Sequence, residues 1–343
     1  MPHAARPTVT LHDVAAAAGV SVSTASRVLS GSTRKVAPEY EARVLAAAKA
    51  LRYTADAAAR AMRRAGDSIA LVADDLTTPS MGMVVAAMER EASTAGAFVT
   101  VSATMGDAER QAETVRVLRS LRPRALVVTS NRYLTNAPGD RLAEELLSYR
   151  RDGGRAVIFG DTDLPFDTID FDNHRIGRTA GEYVASLGHR RVAILAGTTA
   201  MHNLAGRTAG CVAGLTAGGV RERDILIVPC PVSRDGGYAA ARELAAAGMD
   251  GREAVLAVND TIAIGALSGF RDAGVDVPGE VSVTGVDDIP LARDVTPPLT
   301  TVALPLAEAG AQAIRFALAG PGPIRHLRLT GHLTPRSTTR PRP

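Results

Sequence analysis

The stretch "TVTLHDVAAAAGVSVSTASRVLSGSTRKV", residues 8–36, holds two short helical patterns separated by a Gly-Val-Ser step. Thr10 is suited to cap the first helix and Gly19 to end it, because a left-handed C-terminal position favours glycine. Ser21 is suited to cap the second helix, which Gly31 ends. Apolar residues recur at helical spacing in both segments: Leu11, Val14, Ala15 and Ala18, then Val22, Ala25, Val28 and Leu29. Two helices joined by so short a turn are typical of a helix-turn-helix motif.

A third helical pattern follows and predicts a closed three-helix core. Pro38 suits the first turn of this helix. Its predicted inner face consists of Val44, Leu45, Ala48 and Leu51. We therefore assign residues 1–55 to a helix-turn-helix DNA-binding domain and residues 56–67 to a short helix and linker.

Positive charge is concentrated in this N-terminal region. Residues 1–64 contain ten Lys or Arg against four Asp or Glu, whereas the remainder of the chain contains 29 against 32. A basic head on a mildly acidic body indicates that the head binds a polyanion. Because aromatic residues make up only 3% of the chain and Trp is absent, stacking of single-stranded bases on aromatic platforms is disfavoured.

From Ile69 onward, apolar strand patterns alternate with helical patterns, which predicts parallel sheets covered by helices on both faces. The predicted strands are 69–74, 97–103, 125–130, 156–160, 168–172, 191–197, 254–259 and 281–288. We expect two doubly wound α/β lobes within a domain spanning residues 68–343. Lobe 1 is predicted at about 68–159 and 291–322, and lobe 2 at about 160–290 and 323–340.

The composition disfavours several other classes of protein. No run of eighteen apolar residues occurs, and residues 1–13 lack a long apolar segment, so we expect no membrane span, no secretory signal and a cytoplasmic location. Cys211 and Cys230 are 19 residues apart without CxxC spacing, which favours buried reduced thiols. The sequence contains no GxSxG, HExxH or P-loop motif, so it predicts neither an enzyme nor a metal or other cofactor.

Nine segments spread over the chain match one known family. In chain order they are "TLHDVAAAAGVSVSTASRVLSG", "LRYTADAAARAM", "IALVADDLTTPS", "DN" at 172–173, "GHRRVAILAG", "GRTAGCVAGL", "AVNDTIAIGAL", "VSVTGVDD" and "PPLTTV". On these segments the chain resembles the LacI/GalR family of bacterial transcription regulators over about residues 8–340. The resemblance implies a periplasmic-binding-protein-like domain that binds an effector between its lobes and dimerises. It also implies a homodimeric repressor on a pseudo-palindromic double-stranded operator, with affinity modulated by a small-molecule effector.

The resemblance places the base contacts on the second helix. A guanidinium such as that of Arg27 can donate two bonds to guanine O6 and N7, worth roughly 1–3 kcal/mol of discrimination. Ser21 and Thr24 are implied to contact phosphates, which position the protein without specifying sequence. The expected DNA-binding residues of this domain are Thr10, Ser21, Val22, Ser23, Thr24 and Arg27. Two alternatives remain open: Val22 packs inward, and Ser21 is a helix cap whether or not it touches DNA.

The segment 56–64 resembles the hinge helix of the same family. In this interpretation Ala57 and Ala58 lie in the minor groove, and Met62 stands where the family usually has a leucine that wedges between central base pairs. The alternative is that Met62 packs against the hinge helix of a second subunit. So short a helix is marginal in water, so we expect it to form only with DNA and a partner. A change in hinge spacing would then lower DNA affinity.

Polar residues follow the predicted strands of the body, at the sheet edge where ligands bind in such folds. The expected effector-binding residues are Asp75, Ser80, Asp172, Asn203, Arg207, Asn259 and Asp287. The resemblance implies that Arg207 clamps the effector, and the alternative is a structural salt bridge. For Asn259 and Asp260 the alternative is a helix cap, and for Asp287 it is capping or a role in the hinge between lobes.

The loop after the first strand bears on the ligand class. It reads "TTPSMG" at 77–82, without the aromatic residues that the family often carries there. Since Trp is also absent, an ordinary hexose is disfavoured, which leaves nucleosides, pentoses, phosphorylated sugars or a lost effector response. Outside this family, the alternative is a solute-binding protein with a basic extension, which would need an export signal.

Overall fold

The structure is a computed structural model in which two compact units follow each other along the chain, Met1–Gly66 and Asp67–Pro343. The structure describes residues 9–29, 36–51, 53, 67–135, 137, 139–197 and 201–342. The predicted hinge residues Ala57, Ala58 and Met62, as well as Gly31, lie outside the described residues.

The first unit contains the predicted helix-turn-helix and a third helix: α1 (Leu11–Ala18), α2 (Val22–Leu29) and α3 (Pro38–Ala50). A capping box begins α1, because the Thr10 hydroxyl accepts from the Asp13 N–H at 3.3 Å and the Asp13 carboxylate accepts from the Thr10 N–H at 2.7 Å. Gly19 ends α1 at a φ of 61°, in the left-handed region that suits glycine. The prediction of a helix-turn-helix is confirmed.

Small apolar side chains close the core of this unit. Val14, Ala25 and Val44 are fully buried at its centre. The predicted inner face of α3 was wrong at Leu45, which is 51% exposed, and Ala47 packs against the core instead. Leu45 follows Val44 directly, so the turn of about 100° per residue carries it off the inner face.

The second unit is built on two six-stranded sheets. The strands are β1 (Ser68–Ala73), β2 (Phe98–Ala103), β3 (Ala125–Thr129), β4 (Ala156–Phe159), β5 (Asp167–Phe171), β6 (Val192–Gly197), β7 (Ile225–Cys230), β8 (Ala254–Ala257), β9 (Ser282–Asp287), β10 (Thr300–Ala303), β11 (His326–Leu329) and β12 (His332–Thr334). Their order is β11-β5-β4-β3-β1-β2 in the first sheet and β12-β10-β9-β8-β6-β7 in the second. β12 runs antiparallel to β10, and the other described pairings are parallel. The predicted pair of doubly wound α/β lobes is confirmed.

Helices connect successive strands and cover the sheets. They are α4 (Pro79–Thr94), α5 (Ala108–Ser120), α6 (Arg141–Arg151), α7 (Asn173–Ser186), α8 (His202–Ala217), α9 (Arg234–Ala246), α10 (Asp260–Asp272), α11 (Leu291–Asp294) and α12 (Leu306–Leu318). α7 packs on α8, α9 on α10, and α4 on α12. Within the described ranges, no helix has the length and apolar character needed to span a bilayer.

Sheet membership differs from the predicted lobe boundaries at three strands. β5 pairs with β4 in the first sheet although it was placed in lobe 2, and β11 joins the same sheet through β5. β10 pairs with β9 in the second sheet although it was placed in lobe 1. The chain therefore crosses between sheets after β5, after β10 and after β11. An apolar pattern shows that a strand is buried, but it does not show which sheet the strand joins.

Glycines bring α7 and α8 into close contact next to the site described below. A Cβ atom on Gly177 would lie 2.0 Å from the carbonyl oxygen of Arg207, and one on Gly210 would lie 2.0 Å from that of His174. Only glycine leaves room for backbones at this distance. The contact fixes Arg207 on α8 relative to the first turn of α7.

Candidate functional site

The second helix of the helix-turn-helix presents polar side chains to solvent. Ser23 and Arg27 are exposed, whereas Val22 is half-buried and packs against the core of the unit. The Ser21 hydroxyl accepts from the Thr24 N–H at 3.1 Å and lies 2.8 Å from the hydroxyls of both Ser23 and Thr24. Ser21 is thus the cap of α2, and the inward-packing alternative for Val22 gains support.

Thr10 has a structural role in α1. Its hydroxyl donates to the Asp13 carboxylate at 2.7 Å in addition to accepting from the Asp13 N–H. The Thr10 backbone N–H, which donates to the same carboxylate at 2.7 Å, and the bond from the hydroxyl together lower the pKa of the exposed Asp13 carboxyl. A contact between Thr10 and a phosphate would therefore be added to a capping role that the hydroxyl already performs.

In the second unit, a cavity of about 290 Å³ lies at the carboxyl ends of the parallel strands of both sheets. The seven residues predicted from strand ends and from the resemblance all line it: Asp75, Ser80, Asp172, Asn203, Arg207, Asn259 and Asp287. Carboxyl ends of parallel strands converge at one edge of each sheet, and two sheets facing each other in this way enclose a cleft.

Arg207 is 6% exposed and is held by three groups from different elements. Its Nε donates to Asn173 Oδ1 at 2.8 Å, at the start of α7. Its Nη1 donates to the Val258 carbonyl oxygen at 2.9 Å and to Asp287 Oδ1 at 3.3 Å. The planar guanidinium therefore sits in a fixed orientation on the cavity wall.

Asp287 ends β9 with its side chain buried against Arg207. Burial raises the pKa of the Asp287 carboxyl, and the charge of Arg207 and hydrogen bonds from Ser80 and Arg207 offset part of the rise. Its φ of 118° is one that non-glycine residues rarely adopt, and it accompanies the turn that leaves the strand here. Arg207 and Asp287 form the salt bridge that was the structural alternative for Arg207, and both still line the cavity.

Three other predicted ligand residues also have local structural roles. Asn259 Oδ1 accepts from the Ile262 N–H at 2.9 Å and caps α10. Asp172 Oδ1 accepts from the Arg175 N–H at 3.0 Å and caps α7. Asp75 accepts from the N–H and hydroxyl of Thr77, at 2.7 and 2.8 Å. Each side chain is oriented by its cap or turn and keeps acceptor capacity for a ligand.

Asp260 lies behind the cavity wall, fully buried. It accepts from the Thr301 hydroxyl at 2.6 Å and from the Ile289 N–H at 2.9 Å. Burial and the charges of Asp287 and Asp288 raise its pKa to about 8, although both hydrogen bonds act in the opposite direction. Asn259 is the cap of α10, whereas the adjacent Asp260 binds Thr301 and the backbone of Ile289.

Asn203 takes part in a contact between the two lobes across the mouth of the cavity. Its amide nitrogen donates to Asn131 Oδ1 at 3.1 Å, and the His202 N–H donates to the Asn131 carbonyl oxygen at 2.6 Å. Asn131 follows β3 of the first sheet, whereas His202 and Asn203 begin α8 above the second. This contact therefore joins the two lobes beside the cavity.

The sequence prediction missed an aromatic surface in the cavity. The rings of Phe159 and Phe171 both line it, and their centroids are 6.0 Å apart in an edge-to-face arrangement. These rings stand at the ends of β4 and β5 rather than in the loop after β1. They offer an apolar face to a ring-shaped ligand. Their positions at the ends of strands could have identified them as cavity residues from the sequence.

Charged residues of the cavity were missed as well. They are Asp74, Arg132, Asp161, Asp170 and Arg328. Asp74 directly follows β1 and Asp161 follows β4 after Gly160, so the same strand-end rule would have found them. Arg328 lies within the unpredicted strand β11, and nothing in the sequence places it beside Asp170 of β5.

A helix-turn-helix unit joined to a two-lobed domain with a polar cleft defines a class: DNA-binding transcription regulators with a ligand-binding domain. Residues 10–56 match the model of bacterial regulatory proteins of the lacI family, and residues 181–339 match a periplasmic binding protein-like domain. GalS of Salmonella typhimurium is 31% identical over 91% of this chain and 90% of its own length. PurR of Erwinia tasmaniensis is 30% identical over 90% of this chain and 89% of its own length. The chain belongs to the lacI family.

Solved structures support the same assignment. The lac repressor dimer bound to operator and the anti-inducer ONPF superposes with a TM-score of 0.77 at 26% identity, over 97% of this chain and 99% of that one. The complex of the regulator CelR with cellobiose gives a TM-score of 0.70 at 28% identity, over 97% and 100%. These relatives are regulators by name, so the expectation that the chain is not an enzyme is confirmed.

Proposed function

We propose that the chain is a homodimeric repressor that binds a pseudo-palindromic operator through α2 of each subunit. A small-molecule effector in the cleft modulates the operator affinity. The observation that carries this proposal is the presence, in one chain, of a helix-turn-helix with exposed polar residues on α2 and a separate polar cavity between two lobes. Such a protein acts on the chromosome, in the cytoplasm.

The DNA side of the proposal depends on Arg27 and Ser23. Both are exposed on α2, the helix that enters the major groove in this motif. Arg27 supplies base discrimination, whereas Ser21 and Thr24 at the N-terminus of α2 suit phosphate contacts. The basic N-terminal region makes the affinity fall steeply as salt rises.

Two subunits are required because one short helix contacts only a few base pairs. A two-fold dimer presents two copies of α2 to two half-sites, and the operator then repeats the symmetry of the protein. The lac repressor, to which this chain is similar, is a dimer on its operator in the solved structure.

The effector side depends on the wall around Arg207. Guanidinium, carboxylate and amide groups line the cavity there, and the rings of Phe159 and Phe171 supply an apolar face. This combination suits a small polyhydroxy compound with one ring face, because each polar side chain can pair with a hydroxyl group. The cavity is at the small end of ligand sites, so a ligand of one sugar or nucleoside unit fits best.

Sequencing of the duplex fragments retained by the full chain tests the DNA side. We expect enrichment of one pseudo-palindromic sequence. Arg27→Ala is expected to relax the preference at one position of each half-site, at a cost of roughly 1–3 kcal/mol. Lys49→Ala, on the exposed end of α3, is the control, because it removes one positive charge without removing a base contact. If Arg27→Ala retained the same sequence as the unmodified chain, α2 would not be the base-contacting helix.

A further inference from the structure

The charges that line the cleft are unbalanced. Six aspartates line it: Asp74, Asp75, Asp161, Asp170, Asp172 and Asp287. Three arginines stand against them: Arg132, Arg207 and Arg328. His174 and His202 also line the cavity, but an imidazole adds positive charge only when protonated.

Each of the three arginines is already paired with a carboxylate of the chain. Arg132 binds Asp140 through two bonds of 2.8 and 3.0 Å, and Asp140 is not among the lining residues. Arg207 is paired with Asp287 at 3.3 Å, and Arg328 with Asp170 at 2.9 Å. A ligand anion would have to compete with these internal partners, and separating the buried pair of Arg207 and Asp287 is costly. The guanidinium groups of Arg132 and Arg328 are more exposed.

Asp74 is a cleft carboxylate that makes no salt bridge among the described residues. It accepts the Asn131 N–H at 3.2 Å and a side-chain hydrogen bond from Asn131, and the cation that acts on it is Arg132, which already binds Asp140. Burial raises the pKa of Asp74, and the charge of the adjacent Asp75 raises it further. Burial also raises the pKa of Asp170. The hydrogen bond and charge of Arg328 offset part of this rise, and the charges of Asp161 and Asp172 increase it.

The cavity is thus short of positive charge, and a ligand can supply it. A ligand cation at the carboxyl end of β1 would lie beside both Asp74 and Asp75. On the opposite wall, the pair of Arg207 and Asp287 offers donors and acceptors to hydroxyl groups. A phosphate in the same place would face carboxylates without an unpaired guanidinium among the described lining residues.

We propose that the effector is a cationic polyhydroxy compound of the amino-sugar class, with its ammonium group at Asp74 and Asp75 and its hydroxyl groups at Arg207 and Asp287. This inference rests on the proposed function, in which the cleft holds the effector. It excludes the phosphorylated sugars that the sequence left open.

Matched sets of ligands test this inference on the full chain by calorimetry. Glucosamine, glucose and glucose 6-phosphate form one set, and galactosamine, galactose and galactose 6-phosphate form another. We expect an amino sugar to bind about tenfold or more tightly than its neutral parent, as one partly screened charge pair allows, and the phosphates not to bind. The inference is overturned if a neutral parent or a phosphate binds as tightly as the amine, or if neither amino sugar binds.

A charge-removing variant tests the position of the ammonium group. Asp74→Asn keeps an acceptor for the Asn131 N–H, and we expect it to reduce the affinity for the amine to that for the neutral parent. Glu222→Gln removes a charge from an exposed turn outside the cavity and is expected to change neither affinity. Equal weakening of the amine and the parent by Asp74→Asn would show a merely structural effect and would overturn the assignment.

The pH dependence provides a second readout. A bound ammonium lowers the raised pKa of Asp74, so binding releases protons and the affinity for the amine rises with pH over the range in which the free Asp74 carboxyl loses its proton. The affinity for the neutral parent stays flat over this window, and equal slopes would contradict the inference. The sequencing of retained duplex fragments uses no ligand. Failure of the amine to bind would therefore leave the DNA-binding proposal intact, and failure to enrich an operator would leave the ligand result intact.

Discussion

Arg207 and Asp287 stabilise each other in the wall of the cleft. The side chains of both are more than nine-tenths buried, and neither charge would be tolerated there alone. The sequence predicted both as ligand residues from their positions after strands and from the resemblance. It could not predict that they pair, because 80 residues separate them and their contact depends on how α8 packs beside β9.

Replacing Arg207 by alanine is expected to lower the free energy of unfolding by about 3–5 kcal/mol, because Asp287 is left buried without its partner. Urea denaturation measures the loss. Arg178→Ala on α7 is the control, since Arg178 pairs with Glu182 at 2.7 Å on the exposed face of the helix, where the pair is worth at most about 1 kcal/mol. Similar losses for the two variants would mean that the pair of Arg207 and Asp287 is solvated rather than buried.

At the scale of elements, glycine decides how α7 and α8 meet. The periodic patterns at 176–187 and 206–218 predicted both helices but not that they pack together. Small residues along a helix are compatible with a close contact or with plain exposure, and only the structure distinguishes them. The sequence did not predict β7. It is an edge strand with Ile227 exposed and Pro229 within it, so it lacks a continuous buried pattern.

Gly177→Ala is expected to destabilise the chain by about 1–3 kcal/mol, because the added methyl group would overlap the backbone of α8. Gly82→Ala is the matched control. Gly82 lies in α4 with nothing within 4 Å of an added Cβ, so alanine there is expected to stabilise the helix by about 0.5–1 kcal/mol. Thermal unfolding measures both effects: we expect a lower Tm for Gly177→Ala and a higher Tm for Gly82→Ala. A stabilising Gly177→Ala would contradict the close packing of α7 on α8.

At the scale of the whole molecule, the alternation of strands and helices was enough to predict two α/β lobes with a ligand site at the strand ends. The lobe boundaries could not be placed in the same way. β11 pairs with β5, which is distant in the sequence, whereas β5 and β10 stay with the strands that precede them, β4 and β9. None of these pairings leaves a local pattern in the sequence. The same limit applies to the cleft, where Asp74 is the last residue of a predicted strand but the positions of Arg328 and Arg132 depend on tertiary contacts.

The proposed repressor requires that occupancy of the cleft changes the affinity for DNA. Two sites coupled in one molecule influence each other reciprocally, typically by a factor of about 5 to 150. The factor by which a ligand shifts operator binding is therefore also the factor by which operator shifts ligand binding.

Anisotropy titration of a labelled operator duplex, at fixed salt, decides whether this coupling exists. It uses the full chain with and without a compound that calorimetry has shown to bind in the cleft. We predict at least about a fivefold change in the Kd for the operator, and the same factor in the Kd for the ligand when the operator is bound. An operator Kd that stays the same when the cleft is saturated would contradict the hypothesis of a ligand-controlled repressor.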